Sequence, residues 1–77
     1  MSRIPALSGR EVIRVLELVG FRVIRQRGSD HFLIHEDGRT TVIPVHGNES
    51  IGRGLIAKIL NDVEIDREQF SYYLRQI

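Results

Sequence analysis

The sequence contains no cysteine. That absence excludes a disulfide framework, a thiolate zinc site and a thiol nucleophile. Long apolar runs are missing too: nothing approaches the ~20 residues of a membrane span. Met1-Ser2-Arg3 is not followed by the apolar core of a secretory signal. A soluble, cytoplasmic protein with no membrane partner is the expectation. Length is the third scarcity. A chain of 77 residues has room for one core and about one surface cleft, which excludes a two-domain enzyme or a full dinucleotide-binding fold. Residues 1–77 therefore read as a single domain, without internal repeats or low-complexity tracts.

What is present is a globular composition, 42% hydrophobic and 27% charged. The net charge is only +1, but it is unevenly placed. Residues 1–60 hold nine basic side chains against six acids, whereas 61–69 hold Asp62, Glu64, Asp66 and Glu68 against Arg67 alone. Ten of the eleven basic residues are arginine, the type suited to bidentate phosphate contact and to stacking on bases. The same bias also fits a well-solvated surface.

Residues 2–7 form a lead-in containing Pro5. Ser8-Gly9-Arg10-Glu11 has the spacing of a capping box, and Val12, Ile13, Val15, Leu16 and Val19 make an apolar stripe that Gly20 ends. This predicts a helix over 9–19. Residues 21–27 are β-rich, Gly28-Ser29 supplies a tight turn, and 31–35 make a second strand. Asp37-Gly38 is the strongest hairpin signal and leads into a third strand over 40–45. Pro44 puts that strand at an end or an edge. A helix follows from about residue 52, with a first turn weakened by Gly52 and Gly54, and Asp66-Arg67-Glu68-Gln69 opens a last short helix. The order α-β-β-β-α plus a C-terminal helix predicts an α+β two-layer sandwich of double-stranded-RNA-binding-domain topology. Leu16, Val23, Phe32, Ile43, Ile56 and Ile59 are the expected core.

Few residues can carry chemistry. Asp30 and His31 start the second strand, His35 ends it and His46 ends the third. Alternation puts Asp30 with Phe32 and Ile34 on one face, and His31 with Leu33 and His35 on the other. His31 and His35 are about 13 Å apart along an extended strand, too far for one ion, so no metal site and no cofactor are expected. Gly28-Ser29-Asp30 also lacks the flanks of a nucleophile elbow. Acid–base chemistry on RNA remains open. Attack by the ribose 2′-hydroxyl needs a group titrating near neutrality and cations beside the phosphate, which histidine and arginine supply.

In this order and spacing the chain resembles the HicA (YcfA-like) family of toxin–antitoxin modules over nearly its whole length. The similarity runs through Ser8-Gly9-Arg10-Glu11-Val12, Leu16 to Gly20-Phe21 and Arg25-Gln26-Arg27-Gly28-Ser29. It continues through His35-Glu36-Asp37-Gly38-Arg39, Val42-Ile43-Pro44-Val45-His46, and Leu55-Ile56 to Ile59-Leu60. The resemblance implies a small, metal-independent mRNA interferase, an endoribonuclease with a double-stranded-RNA-binding-like fold. It also implies a HicB-like antitoxin that covers the active site. The family's catalytic histidine follows the Gly-Ser turn, a position that here is Asp30, with His31 beside it as a possible substitute. An aspartate of ordinary pKa, about 3.9, is a poor proton donor at pH 7 and repels phosphate. The expectation is reduced or absent cleavage with RNA and antitoxin surfaces kept. Arg25, Arg27, Gly28, Ser29, Arg39, His46 and Lys58 are the candidate RNA contacts. A non-catalytic RNA-binding module and a purely antitoxin-binding module are the alternatives.

Overall fold

In the computed structural model, which describes residues 4–77, the first helix begins where its cap dictates. The Ser8 hydroxyl accepts the Glu11 amide at 3.3 Å, and the Glu11 carboxylate accepts the Ser8 amide at 2.9 Å. Helix α1 (Gly9–Val19) ends at Gly20, whose φ of 118° lies in the left-handed region. A Cβ there would meet His35 Nε2 at 2.9 Å, so glycine also lets the sheet approach the helix exit. Strands β1 (Phe21–Arg27), β2 (Asp30–His35) and β3 (Thr40–Pro44) follow, then α2 (Arg53–Val63) and α3 (Arg67–Leu74). Asp66 and Gln69 cap α3 reciprocally. No helix among the described residues is long and apolar enough to cross a membrane.

The strands form an antiparallel meander of order β1-β2-β3. Helices pack on one face only, giving the α+β sandwich and the element order of a double-stranded-RNA-binding domain with α3 added. Leu16, Ile43, Ile56 and Ile59 are buried in the core together with Val12, Val15, Leu33, Val63 and Phe70. The lead-in is pinned where the Ile51 amide donates to the Leu7 carbonyl at 2.8 Å. Residues 2 and 3, part of the expected lead-in, lie outside the described residues.

Two expected core residues are not in it. Phe32 is only half-buried, and Leu33 (1% exposed) is the fully buried residue of β2 on the face toward the helices. Leu33 stands opposite Thr41, and β3 buries Thr41 and Ile43 while exposing Val42, so the register puts Phe32 on the open side. Val23 stays 39% exposed although it pairs with Leu33. It lies on the outer strand, where the helices bury only Phe21.

Strand β1 also contains a bulge. Val23 pairs with Leu33 and the next paired residue, Arg25, faces Phe32, so Ile24 is the extra residue. The bulge shifts the alternation by one. Arg22 opposite Ile34, Arg25 opposite Phe32 and Arg27 opposite Asp30 consequently share the open face.

Candidate functional site

The β1–β2 turn is a two-residue hairpin flanked by Arg27 and Asp30, a paired couple. Its first central residue, Gly28, has φ 59°, the positive value that a primed hairpin turn asks of that position. The turn is held from below, because the Val45 amide donates to the Ser29 carbonyl at 2.8 Å. Its backbone is therefore fixed while its side chains stay outside. Asp30 is exposed and has neither an ion pair nor a side-chain hydrogen bond among the described residues. Across the sheet it pairs with Pro44.

His31 lies on the opposite face, half-buried beside Ile43. Its Nδ1 is 3.1 Å from the Ser29 carbonyl, an acceptor, so that nitrogen carries the proton and Nε2 is left over. His46, two residues beyond the partner of Asp30, is exposed at the same end of the sheet. Between Pro44 and His46 on one side and Gly52 and Leu55 on the other lies a cleft of about 200 Å³. Gly52 is the N-cap of α2 and offers no side chain to the first amides. Gly9 holds α1 close to this region, since a Cβ on it would run into the Pro44 carbonyl. A larger depression of about 460 Å³ lies between α2 and α3, but Glu64 and Asp66 line it, which makes it unsuited to a phosphate ligand.

The structure thus gathers Arg25, Arg27, Gly28, Ser29, Asp30 and His46 at or beside one end of the sheet, with His31 behind them. It does not bring Arg39 or Lys58 there. Arg39 belongs to the β2–β3 turn, where Nε meets the Asp37 carboxylate at 2.9 Å, Nη1 donates to the Val63 carbonyl at 2.6 Å, and the guanidinium covers the Phe21 ring. The Asp37 carboxyl is held below its usual pKa by the hydrogen bonds from Arg39. Lys58, on α2, pairs with Asp62, which also accepts the buried Thr41 hydroxyl. His35 packs edge-on against Phe21 at 5.1 Å. Among the described residues no three His, Asp or Glu side chains are grouped to hold a metal ion.

Arg22 escaped the sequence reading. Three positions separate it from Arg25, so alternation assigns the two to opposite faces, and only the bulge at Ile24 reunites them. Nothing in the one-letter pattern marks that bulge.

A comparison with protein families finds a match over residues 9–65 to the model described as HicA toxin of bacterial toxin–antitoxin. No individually curated protein matches the chain. The match runs from the first residue of α1 to just beyond α2 and covers well over half of the 77 residues. The chain belongs to the HicA toxin family, as the toxin component of a bacterial toxin–antitoxin system whose partner is an antitoxin.

Proposed function

We propose that this toxin is a single-domain, cytoplasmic protein that engages mRNA at the β1–β2 turn and is neutralised there by a HicB-like antitoxin. Its cleavage is impaired because Asp30 occupies the position where the resemblance puts the catalytic histidine. One observation carries this reading: Asp30 projects from a backbone-fixed turn on the open face, beside Arg27, with no protein partner of its own among the described residues. A side chain so exposed is available to a ligand. His31 is instead half-buried and bonded to the Ser29 carbonyl.

The chemistry is metal-independent transesterification. The ribose 2′-oxygen bonds to phosphorus as the bond to the 5′-oxygen breaks. One proton leaves the 2′-hydroxyl and one reaches the departing 5′-oxygen, giving a cyclic phosphate and a 5′-hydroxyl end. An imidazole titrating near pH 6.5 can move those protons at neutral pH. A carboxylate adds a negative charge beside the phosphate and is a poor proton donor. Arg25 and Arg27 supply positive charge, and His46 and the α2 N-terminus lie at the same end of the sheet. Arg39, bonded to the Val63 carbonyl, and Lys58, an exposed α2 side chain paired with Asp62 away from the turn, are left out of this reading.

The test is RNA degradation with chelator present, comparing the parent, Asp30→His and His31→Ala. General acid–base catalysis typically contributes 10²–10⁴-fold, and Asp30→His should gain on that order over a slow parent, whereas His31→Ala should match the parent. An active parent whose His31→Ala variant is dead would move the chemistry to His31. A folded Asp30→His that cleaves no faster than the parent would remove position 30 from the reaction.

A further inference from the structure

The open face of the sheet carries a second feature that the turn does not explain. Arg22, Arg25 and Arg27 stand in one row opposite Ile34, Phe32 and Asp30. Those β2 partners alternate along the strand, so the arginines repeat about every 6.6 Å, twice the 3.3 Å rise of a strand residue. That is also about twice the 3.4 Å rise per nucleotide of one strand in a stacked duplex, and so close to the phosphate repeat of a strand pulled out of its stack. Beside the row lie Phe32, half-buried, and Val42, 37% exposed and opposite Phe32 on β3. The Arg25 guanidinium lies over the Phe32 ring, 5.3 Å from its centre, so a base stacks there only as Arg25 swings off the ring onto a phosphate.

We infer that this face is a track for single-stranded RNA, with phosphates along Arg22, Arg25 and Arg27, a base stacked on Phe32, and the strand leading to position 30. The inference rests on the reading that the toxin engages RNA. It adds where the substrate lies and in what form. Charge complementarity selects the occupant: among the paired residues of β1 and β2 on this face, three arginines stand against one carboxylate, Asp30, at the turn end. An unpaired strand is required because aromatic stacking needs splayed bases, whereas duplex RNA is read across its minor groove by shape. The bulge at Ile24 supports the assignment geometrically, since without it Arg22 would face the helices.

Binding is measured by fluorescence anisotropy with a labelled single-stranded 12-mer and a 12-base-pair duplex of the same sequence, over a salt series. The parent, Arg22→Ala, Phe32→Leu and Arg14→Ala are compared, the last being an exposed change on α1. The parent should prefer the single strand. Arg22→Ala should flatten the slope of log K against log salt by about 0.7, and Phe32→Leu should weaken binding about 5- to 100-fold with the slope unchanged. Arg14→Ala should leave both as they were. Arg22→Ala is a surface change and keeps the test valid should Phe32→Leu unfold the sheet. Binding that survives both open-face changes would overturn the track while leaving an RNA-binding toxin. Failure of the parent and of Asp30→His to bind either RNA would overturn the RNA reading itself. Loss of antitoxin binding by the open-face variants with RNA binding intact would make the face a protein interface. Self-association of Arg22→Ala with RNA binding unchanged would make the arginine a guard of the edge strand. Either result overturns the track.

Discussion

The two ends of the sheet carry the same three residue types and use them in opposite ways. At the β2–β3 turn, His35, Asp37 and Arg39 are bound into the fold. The imidazole packs on Phe21 beneath Gly20, the carboxylate takes Arg39, and Arg39 reaches across to the last carbonyl of α2. At the β1–β2 turn, Arg27 and Asp30 point outward with no ion pair among the described residues, and only His31 is bonded to backbone. The difference comes from the turns. A four-residue connection lets Asp37 fold back on Arg39 two positions later and lets Arg39 reach the end of α2. A two-residue turn places its flanking side chains on a face that no helix covers among the described residues. Charge at one end is structural, and at the other it is available to a ligand.

Between the two ends the sheet is anchored by Leu33 and not by Phe32. Leu33→Ala should therefore cost about 2–5 kcal/mol, a large part of the stability of a small domain. Phe32→Ala should cost clearly less, although it removes more atoms, because its side chain is only partly buried and lies outside the core between sheet and helices. Denaturant unfolding of both variants measures this. Equal losses would mean that the second face is covered after all, and the contrast between the ends would collapse with it.

A smaller effect separates the ends directly. Arg39→Ala removes a charged hydrogen bond to the Val63 carbonyl, where α2 has no basic residue of its own in its last turn. The expected loss is about 1.5–3 kcal/mol, the range for hydrogen bonds to charged groups. Arg27→Ala touches no such partner and should stay within about 0.5 kcal/mol of the parent. Similar melting temperatures for the two variants would deny that the two turns differ.

Most of the fold was legible because local signals agreed with one another. The capping boxes at Ser8 and Asp66, the Gly20 stop, the Gly28-Ser29 and Asp37-Gly38 turns and the apolar stripe of α1 each act within a few residues of themselves. What escaped depended on partners distant in sequence. Phe32 with Ile34 made a more apolar set than Leu33 between His31 and His35, so composition favoured the wrong face. The register against β3, and the acceptance of two histidines at the ends of the covered face, decided otherwise. The bulge at Ile24 was invisible for the same reason, and with it the place of Arg22. Arg39 read as a solvent-facing phosphate ligand because its true partner, the Val63 carbonyl, is a backbone atom 24 residues away.

The finest test of the contrast is pH. Asp37 is held below the ordinary carboxylate pKa, first by the hydrogen bond from the Arg39 side chain and with a smaller pull from His35 when that ring is charged. A depressed folded-state value means that the unfolded chain binds the proton more readily. The stabilisation is therefore complete above the unfolded carboxylate pKa near 3.9 and is lost as pH falls through the lower folded value. Asp37→Asn keeps a side-chain oxygen for the Arg39 amide and removes only the charge. The variant should melt slightly below the parent at pH 6, and the gap should close as pH falls below about 4. Because the Asp37 side chain is about half exposed (48%), the gap should also shrink in high salt. Parallel curves for Asp37→Asn and the parent from pH 6 to pH 2 would show that the carboxylate of the second turn is as unengaged as that of the first.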